Sequence, residues 1–398
     1  MNYWIRKDIN FTSYNKNNDD IVILKNSNNL YSEFELYSEF YLKSAEMITE
    51  CLITEVADKR DISKLDSWFF AVAYLLRQSL ELMLKATSYK LGVEHKRIVS
   101  DMRHDLNIGI SILEEDLTTD QKSNTYFKWL IDYFNNISDI DKDSDMFRYP
   151  FNSKMETFFD HQIHLDYIAI FENAEKAILI MKALINNSLE EFTNGHQHDP
   201  VFLIEGGHYY QQAVIGYKFI SGDFYPYIKA YTECANFLHE KIQASSDNID
   251  VFLPMCYLFR NAIELELKNI YLTHCSLQNS SRELTKYKHK LLRIWNDTKQ
   301  TISEHSNAPE GDTTLEECSE YIRQLNNWDG CSSTFRYPIN KHGQFFFNRE
   351  KRYNHENVAV CFNDICYFLD CVEMQLSHHL EIKQEIEAEY RSYYEGCY

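Results

Sequence analysis

Phe147-Arg148-Tyr149-Pro150 returns as Phe335-Arg336-Tyr337-Pro338 in a chain that holds only six prolines. Chance rarely repeats such a string, and the landmarks upstream of each copy also return in order, which marks an internal duplication. Arg77, Glu81 and Lys85 answer to Arg260, Glu264 and Lys268 at an offset of 183 (260 − 77). His104-Asp105-Leu106 answers to His289-Lys290-Leu291 at 185 (289 − 104), and the Phe-Arg-Tyr-Pro strings stand 188 apart (335 − 147). Loop insertions account for the drift. The chain therefore reads as two homologous halves, 1–195 and 196–398.

A length of 398 residues exceeds the size at which one hydrophobic core stops growing, which agrees with two domains. Glycine and proline are scarce, at 11 and 6 residues, while 44% of the chain is apolar. This is a helical composition with enough apolar surface for a core. The net charge of −20 disfavours a broad grip on nucleic-acid backbone, which needs clustered Lys and Arg, and it repels anionic membrane surfaces. The longest apolar run, Trp68 to Leu76, is too short to span a bilayer. Ten cysteines without a Cys-x-x-Cys pair, in a long chain with no recognisable secretory leader, read as reduced thiols of a cytoplasmic protein. Cys361, Cys366 and Cys371 recur every five residues, a spacing that fans them around a helix and fits core filling better than a metal. No phosphate loop, dinucleotide glycine string or zinc ligand set is present, so neither a cofactor nor a metal is expected.

Each half is expected to open with a small β element: Ile21-Val22-Ile23-Leu24 in the first, Val201 to Ile204 and Ala213 to Ile220 in the second. Helical spacing follows from Ser32 to about Ala57, where Phe40-Tyr41 looks like the counterpart of Phe224-Tyr225. The next helix runs from about Ser67, capped by Asp66 or Ser67, to Leu91 before Gly92, and its partner runs from Val251 to His274. Both are apolar on nearly every side. Shorter helices follow over His104 to Glu115 and His289 to Ile302, and long ones close the halves at Ile163 to Ile185 and Asn357 to Ile382. Asn194 to Pro200 reads as the linker, and its two histidines as a solvated turn. The acidic, Tyr-rich stretch after Glu381 either extends the last helix or frays.

On the two buried helices Arg, Glu and Lys stand four residues apart and share a face. That pattern is either an ion-pair ladder along the one polar edge or part of a site, since charges on an apolar helix need a task or full pairing. The candidates for binding are Arg77, Glu81, Arg260, Asn261, His104 and His289. For catalysis they are Arg336, His342, Arg148 and Glu264.

Arg260-Asn261-Ala262-Ile263-Glu264, a following His-x-Leu helix, then an arginine segment and a closing helix resemble the HEPN superfamily of small helical bundles. The resemblance covers most of each half and leaves out the β starts. Many members look like ribonucleases of bacterial toxin, abortive-infection and CRISPR systems, with an arginine and a histidine four to six residues apart, paired across a dimer. The resemblance implies a mainly α protein with two homologous helical bundles as an intramolecular pseudo-dimer, and RNA or a protein as partner; higher homo-oligomers remain open. In the second half Arg336 and His342 match the spacing; in the first, Lys154 stands where the histidine would be. Arg349 and His355 form another such pair. Metal-free RNA cleavage would use histidine as base on the ribose hydroxyl and arginine to hold the scissile phosphate, with Glu264 or Glu81 orienting them. Against this, Tyr337-Pro338 forces extended backbone after Arg336, and Asn340-Lys341-His342-Gly343 has turn chemistry, which would leave His342 in water. The alternative implied by the same resemblance is a non-catalytic sensor, scaffold or inhibitor in which Arg148 and Arg336 are structural, each paired with Glu81 or Glu264 of its own half.

Overall fold

The computed structural model describes residues 3–7, 9–13, 20–59, 61–152, 154–195, 198–216, 223–276, 281–306 and 308–395. The chain is mainly helical. Its first half runs β1 (Ile21–Leu24), α1 (Leu30–Cys51), α2 (Ala57–Lys59), α3 (Ile62–Lys90), α4 (Leu106–Glu115), α5 (Thr119–Ser123), α6 (Thr125–Asp141), β2 (Ile163–Asp166) and α7 (Tyr167–Ile185). The second runs β3 (Gln212–Ile215), α8 (Tyr225–Ala244), α9 (Phe252–Ile270), α10 (Leu291–His305), α11 (Thr314–Asp329), β4 (Lys351–Asn354) and α12 (His355–Glu395). The order of elements is nearly the same twice over. The backbone repeats as well: non-glycine residues with positive φ precede both histidines, at Arg103 and Lys288, and both arginine strings, at Ser144 and Ser332. A conformation unfavourable to L side chains persists only where its surroundings enforce it.

Helices α3 and α9 form the centre. Every residue from Trp68 to Ser88 and from Phe252 to Lys268 is buried, as their all-round apolar sequences require. α3 packs on α1, α7 and α8, and α9 packs on α8 and α12. Where α3 and α9 meet, Tyr74 stacks on Tyr257 with ring centroids 4.7 Å apart. The two small sheets join segments from different halves. β1 pairs antiparallel with β4, from Ile21 opposite Asn354 to Leu24 opposite Lys351. β2 pairs antiparallel with β3, from Ile163 opposite Ile215 to Asp166 opposite Gln212.

Several sequence expectations shift. α3 begins at Ile62 rather than near Ser67, because Asp66 does not cap it: its carboxylate accepts the Val214 N–H of β3 at 2.7 Å. Ile163 to Asp166 is a strand, and the helix starts only where Asp166 caps the Ile168 and Ala169 N–H groups. Val201 to Ile204 forms no strand; only Glu205 bridges to Leu165, while Phe202 turns into the core. Of Ala213 to Ile220, the strand takes residues up to Ile215, and residues 217–220 lie outside the described ones. α12 continues to Glu395, and from Leu380 to Tyr393 every residue is exposed. The structural counterpart of Tyr41 is Tyr231, not Tyr225. Tyr41 donates its hydroxyl to the Phe335 carbonyl, Tyr231 donates to that of Phe147, and Tyr225 is exposed.

Candidate functional site

The charged residues repeated on α3 and α9 build two buried clusters of the same design. In the first, Glu81 accepts from Lys85 Nζ at 2.6 Å and from Arg77 Nη1 at 3.4 Å, because a spacing of four stacks them on one face. His104, delivered by the turn before α4, sets Nδ1 3.1 Å from Glu81 Oε1. Arg77 Nη2 fixes that turn by donating to the His104 carbonyl at 2.5 Å. In the second, Glu264 accepts from Arg260 and from Lys268 Nζ at 2.6 Å, and His289 Nδ1 stands 3.2 Å from it. Arg260 Nη2 donates to the His289 carbonyl at 2.6 Å.

A tyrosine from the opposite half completes each cluster. The Tyr337 hydroxyl donates to Glu81 Oε1 at 2.8 Å and lies 3.2 Å from His104 Nδ1. The Tyr149 hydroxyl donates to Glu264 Oε1 at 2.9 Å and lies 3.1 Å from His289 Nδ1. Lys85 and Lys268 also sit over the crossing rings, 4.8 and 4.3 Å from their centroids. Each Phe-Arg-Tyr-Pro string thus reaches into the other half through its tyrosine.

Burial disfavours the charge on Glu81, but Lys85, His104 and Arg77 outweigh it and hold the carboxyl well below its usual range. Glu264 is depressed in the same way, its burial overcome by Lys268, His289 and Arg260. Glu81 pulls His104 upward, yet burial with Lys85 and Arg336 leaves it below the ordinary histidine value; burial, aided by Arg148 and Lys268, does so for His289. Each ring remains partly exposed, at 40% for His104 and 34% for His289. With Nδ1 turned to a carboxylate, the proton sits on that nitrogen and Nε2 is the basic one.

The arginines of the two strings lie deeper. Arg148 and Arg336 are both buried, with Nε donated to the carbonyls of Ser144 and Ser332. Those turns are tied by Asp141, whose Oδ1 accepts from the Asp145 and Met146 N–H groups, and by Asp329, which holds Ser333 and Thr334 in the same way. Arg148 Nη2 reaches Asp145 at 2.7 Å. Ser333 stands in the matching place of the second half, and Arg336 has no carboxylate within ion-pair distance among the described residues. Among the described residues neither arginine pairs with the glutamate of its own half, because the tyrosine of the opposite string fills that place. Burial and the charge of Arg148 act against the Arg336 cation, but Tyr337, Tyr74 and Tyr257 outweigh them and hold its pKa above the ordinary arginine value; an Nη1 of each guanidinium is buried without a hydrogen-bond partner.

The sequence-derived site residues therefore divide. Arg77, Glu81 and His104 come together, as do Arg260, Glu264 and His289, and Arg148 and Arg336 lie near enough to repel. Asn261 accepts from the Tyr257 hydroxyl at 3.4 Å, beside the Tyr stack. His342 is exposed in the turn after Pro338, where its N–H donates to Asn340 Oδ1 at 2.8 Å, while Arg336 is buried. Arg349 is exposed and His355 is buried, and Lys154 is exposed. His198 of the linker pairs with Glu172 at 2.8 Å, and His196 lies outside the described residues. Tyr149 and Tyr337, the residues that cross, were not singled out from the sequence; their place inside the duplicated string was the available signal. No family model, curated protein or solved structure matches the chain.

Proposed function

We propose that the chain is a HEPN-like intramolecular pseudo-dimer, of the type found in bacterial defence and toxin systems, that acts by binding a protein partner and not by cutting RNA. The observation that carries this reading is the engagement of the duplicated polar residues with one another. Arg77, Glu81, Lys85, His104 and Tyr337, and their equivalents, bond mutually across the halves, so they fasten the fold. The arginines expected to hold a phosphate are buried beneath it. A surface suited to a partner is the free end of α12, where Ile382, Ile386, Tyr390 and Tyr393 are exposed at helical spacing and line one face.

A specific observation favours a second reading. His104 and His289 are partly exposed bases oriented by glutamates, which is the arrangement a metal-independent ribonuclease requires. Incubating the purified chain with tRNA, rRNA and mRNA separates the two. Intact RNA after hours at neutral pH is expected. Cleavage that disappears in His104→Ala or His289→Ala would establish the enzyme instead.

A further inference from the structure

His239 on α8 and the pair His355-Glu356 at the start of α12 meet outside the twin clusters, although 116 residues separate them in sequence (355 − 239). One ligand atom from each lies within 4.8 Å of the others. His239 Nε2 is 3.7 Å from Glu356 Oε2, and the two imidazole rings stand 5.6 Å apart. We propose that His239, His355 and Glu356 bind a single divalent transition-metal ion of the zinc class.

Two buried orphans point to such an ion. His239 Nε2 and His355 Nδ1 are buried with no hydrogen-bond partner, on residues 9% and 5% exposed. Native proteins seldom leave such atoms unsatisfied. The surrounding groups are placed as supports of metal ligands are. Gln243, one turn beyond His239 on α8, donates to Glu356 Oε1 at 2.5 Å and leaves Oε2 toward His239. Asp20 Oδ1 lies 3.8 Å from His355 Nε2, and the Asp20 carbonyl accepts the His355 N–H at 3.0 Å. At 3.8 Å the carboxylate makes a charge contact and not a hydrogen bond; it places negative charge behind Nε2 and leaves Nδ1 for a metal. Ligands on a tetrahedral ion with bonds of about 2.0–2.1 Å stand roughly 3.4 Å apart, so a set that lies within 4.8 Å would close by up to about 1.4 Å on binding one. Three protein ligands leave one position open, and a cavity of about 150 Å³, lined by His239, Glu356, Tyr3, Asn236 and Asn363, lies beside them.

The three ligands all come from the second half and have no equivalents in the first. In the register that matches Tyr41 with Tyr231, His239 corresponds to Thr49; in the register that matches Asp166 with Asn354, His355 and Glu356 correspond to Tyr167 and Ile168. None of these binds a transition metal well. The ion would link α8 to the junction of β4 with α12 and, through Asp20, to the chain entering β1, so it would clasp the first half to the second. This inference is independent of the HEPN-like reading.

The test uses the full chain, stripped with a chelator and titrated with Zn²⁺ by calorimetry and with Co²⁺ by visible absorption. The expected result is about one ion per chain, weakened about 100-fold or more in His239→Asn and His355→Asn and about 10-fold in Gln243→Ala. Bound Zn²⁺ should also raise the melting temperature of the wild type, and His378→Asn, on the exposed part of α12, should bind as the wild type does. Glu356→Gln, at a half-exposed position, serves if a buried histidine variant fails to fold. Failure to bind Zn²⁺ or Co²⁺ at micromolar free metal overturns the proposal. So does one-to-one binding unchanged in His239→Asn and Glu356→Gln.

Discussion

Deleting one hydroxyl tests the crossing between the halves. Tyr337→Phe removes the bond to Glu81 Oε1 and leaves a buried ring of the same shape. A hydrogen bond to a charged group contributes about 1.5–3 kcal/mol. Glu81 keeps Arg77, Lys85 and His104, so it is not orphaned, and a loss of about 2 kcal/mol is expected. Unfolding entropy of about 2.1 cal/mol/K per residue, taken over one cooperative unit of this length, turns that loss into a fall in Tm of about 2–3 °C. Tyr149→Phe should do the same through Glu264. Because the two tyrosines serve different carboxylates, the double variant should lose about 5 °C. Calorimetry measures the fall, and urea unfolding of variants keeping only Trp129 or only Trp295 reports on each half separately. Both probes should shift together in Tyr337→Phe. A Tm within about half a degree of wild type, or a shift confined to one probe, would refute the reasoning.

Glu81→Gln should be more damaging than Tyr337→Phe, with a loss of about 3–5 kcal/mol in urea unfolding, because Lys85 would be left as a buried cation without its carboxylate and Arg77 would keep only the Asp141 carboxylate, at 3.9 Å. Stability should also fall on acidification. Glu81 and Glu264 have depressed pKa values in the fold, so their contribution is complete above the unfolded value of 4.5 and is lost as pH drops below it. His104 and His289, depressed from 6.5, take up protons more readily when unfolded, so the decline should begin below that pH; a flat Tm between pH 7 and 4 would contradict both assignments. Glu266 has the opposite sign. Burial, with Asp370 and Glu373 nearby, raises its pKa well above 4.5, so Glu266→Gln should melt higher than wild type at pH 8, with the gain shrinking as pH approaches 4.5. Truncation before Leu380 should leave Tm within about 1 °C of wild type, since those residues cover nothing, while abolishing any partner contact made by the stripe on α12.

The helices were legible because their causes are local. α3 and α9 announce themselves by apolar residues on all sides, and Gly92, at φ +91°, ends the first where its sequence implied. α6 and α11 also carry a local signal, through Phe127, Leu130, Phe134 and Ile137 and through Cys318, Tyr321, Ile322 and Leu325 at helical spacing. β4 reads Lys-Arg-Tyr-Asn and carries little β signal; it is a strand because β1 offers it an edge. The carboxylate clusters could be half seen, since Arg77, Glu81 and Lys85 share a face by spacing alone. Which tyrosine completes each was not visible, because Tyr337 and Glu81 lie 256 residues apart and no periodicity encodes that contact. A separation of 116 residues (355 − 239) likewise hid His239 from His355.

The cross-half strands carry a consequence for how the chain is made. Ile21 leaves the ribosome 333 residues before its partner Asn354 (354 − 21). At about 5–20 residues per second, the second half takes roughly 10–40 s to follow the first. Throughout that interval β1 has a bare edge, Glu81 lacks its tyrosine, and α3 lacks the helices of the second half that cover it. A nascent chain in this state is a natural client for a holdase, and it can equally take β4 and Tyr337 from a neighbouring molecule. Production at low temperature and low copy number should therefore favour monomer, and crowded synthesis should favour exchanged pairs.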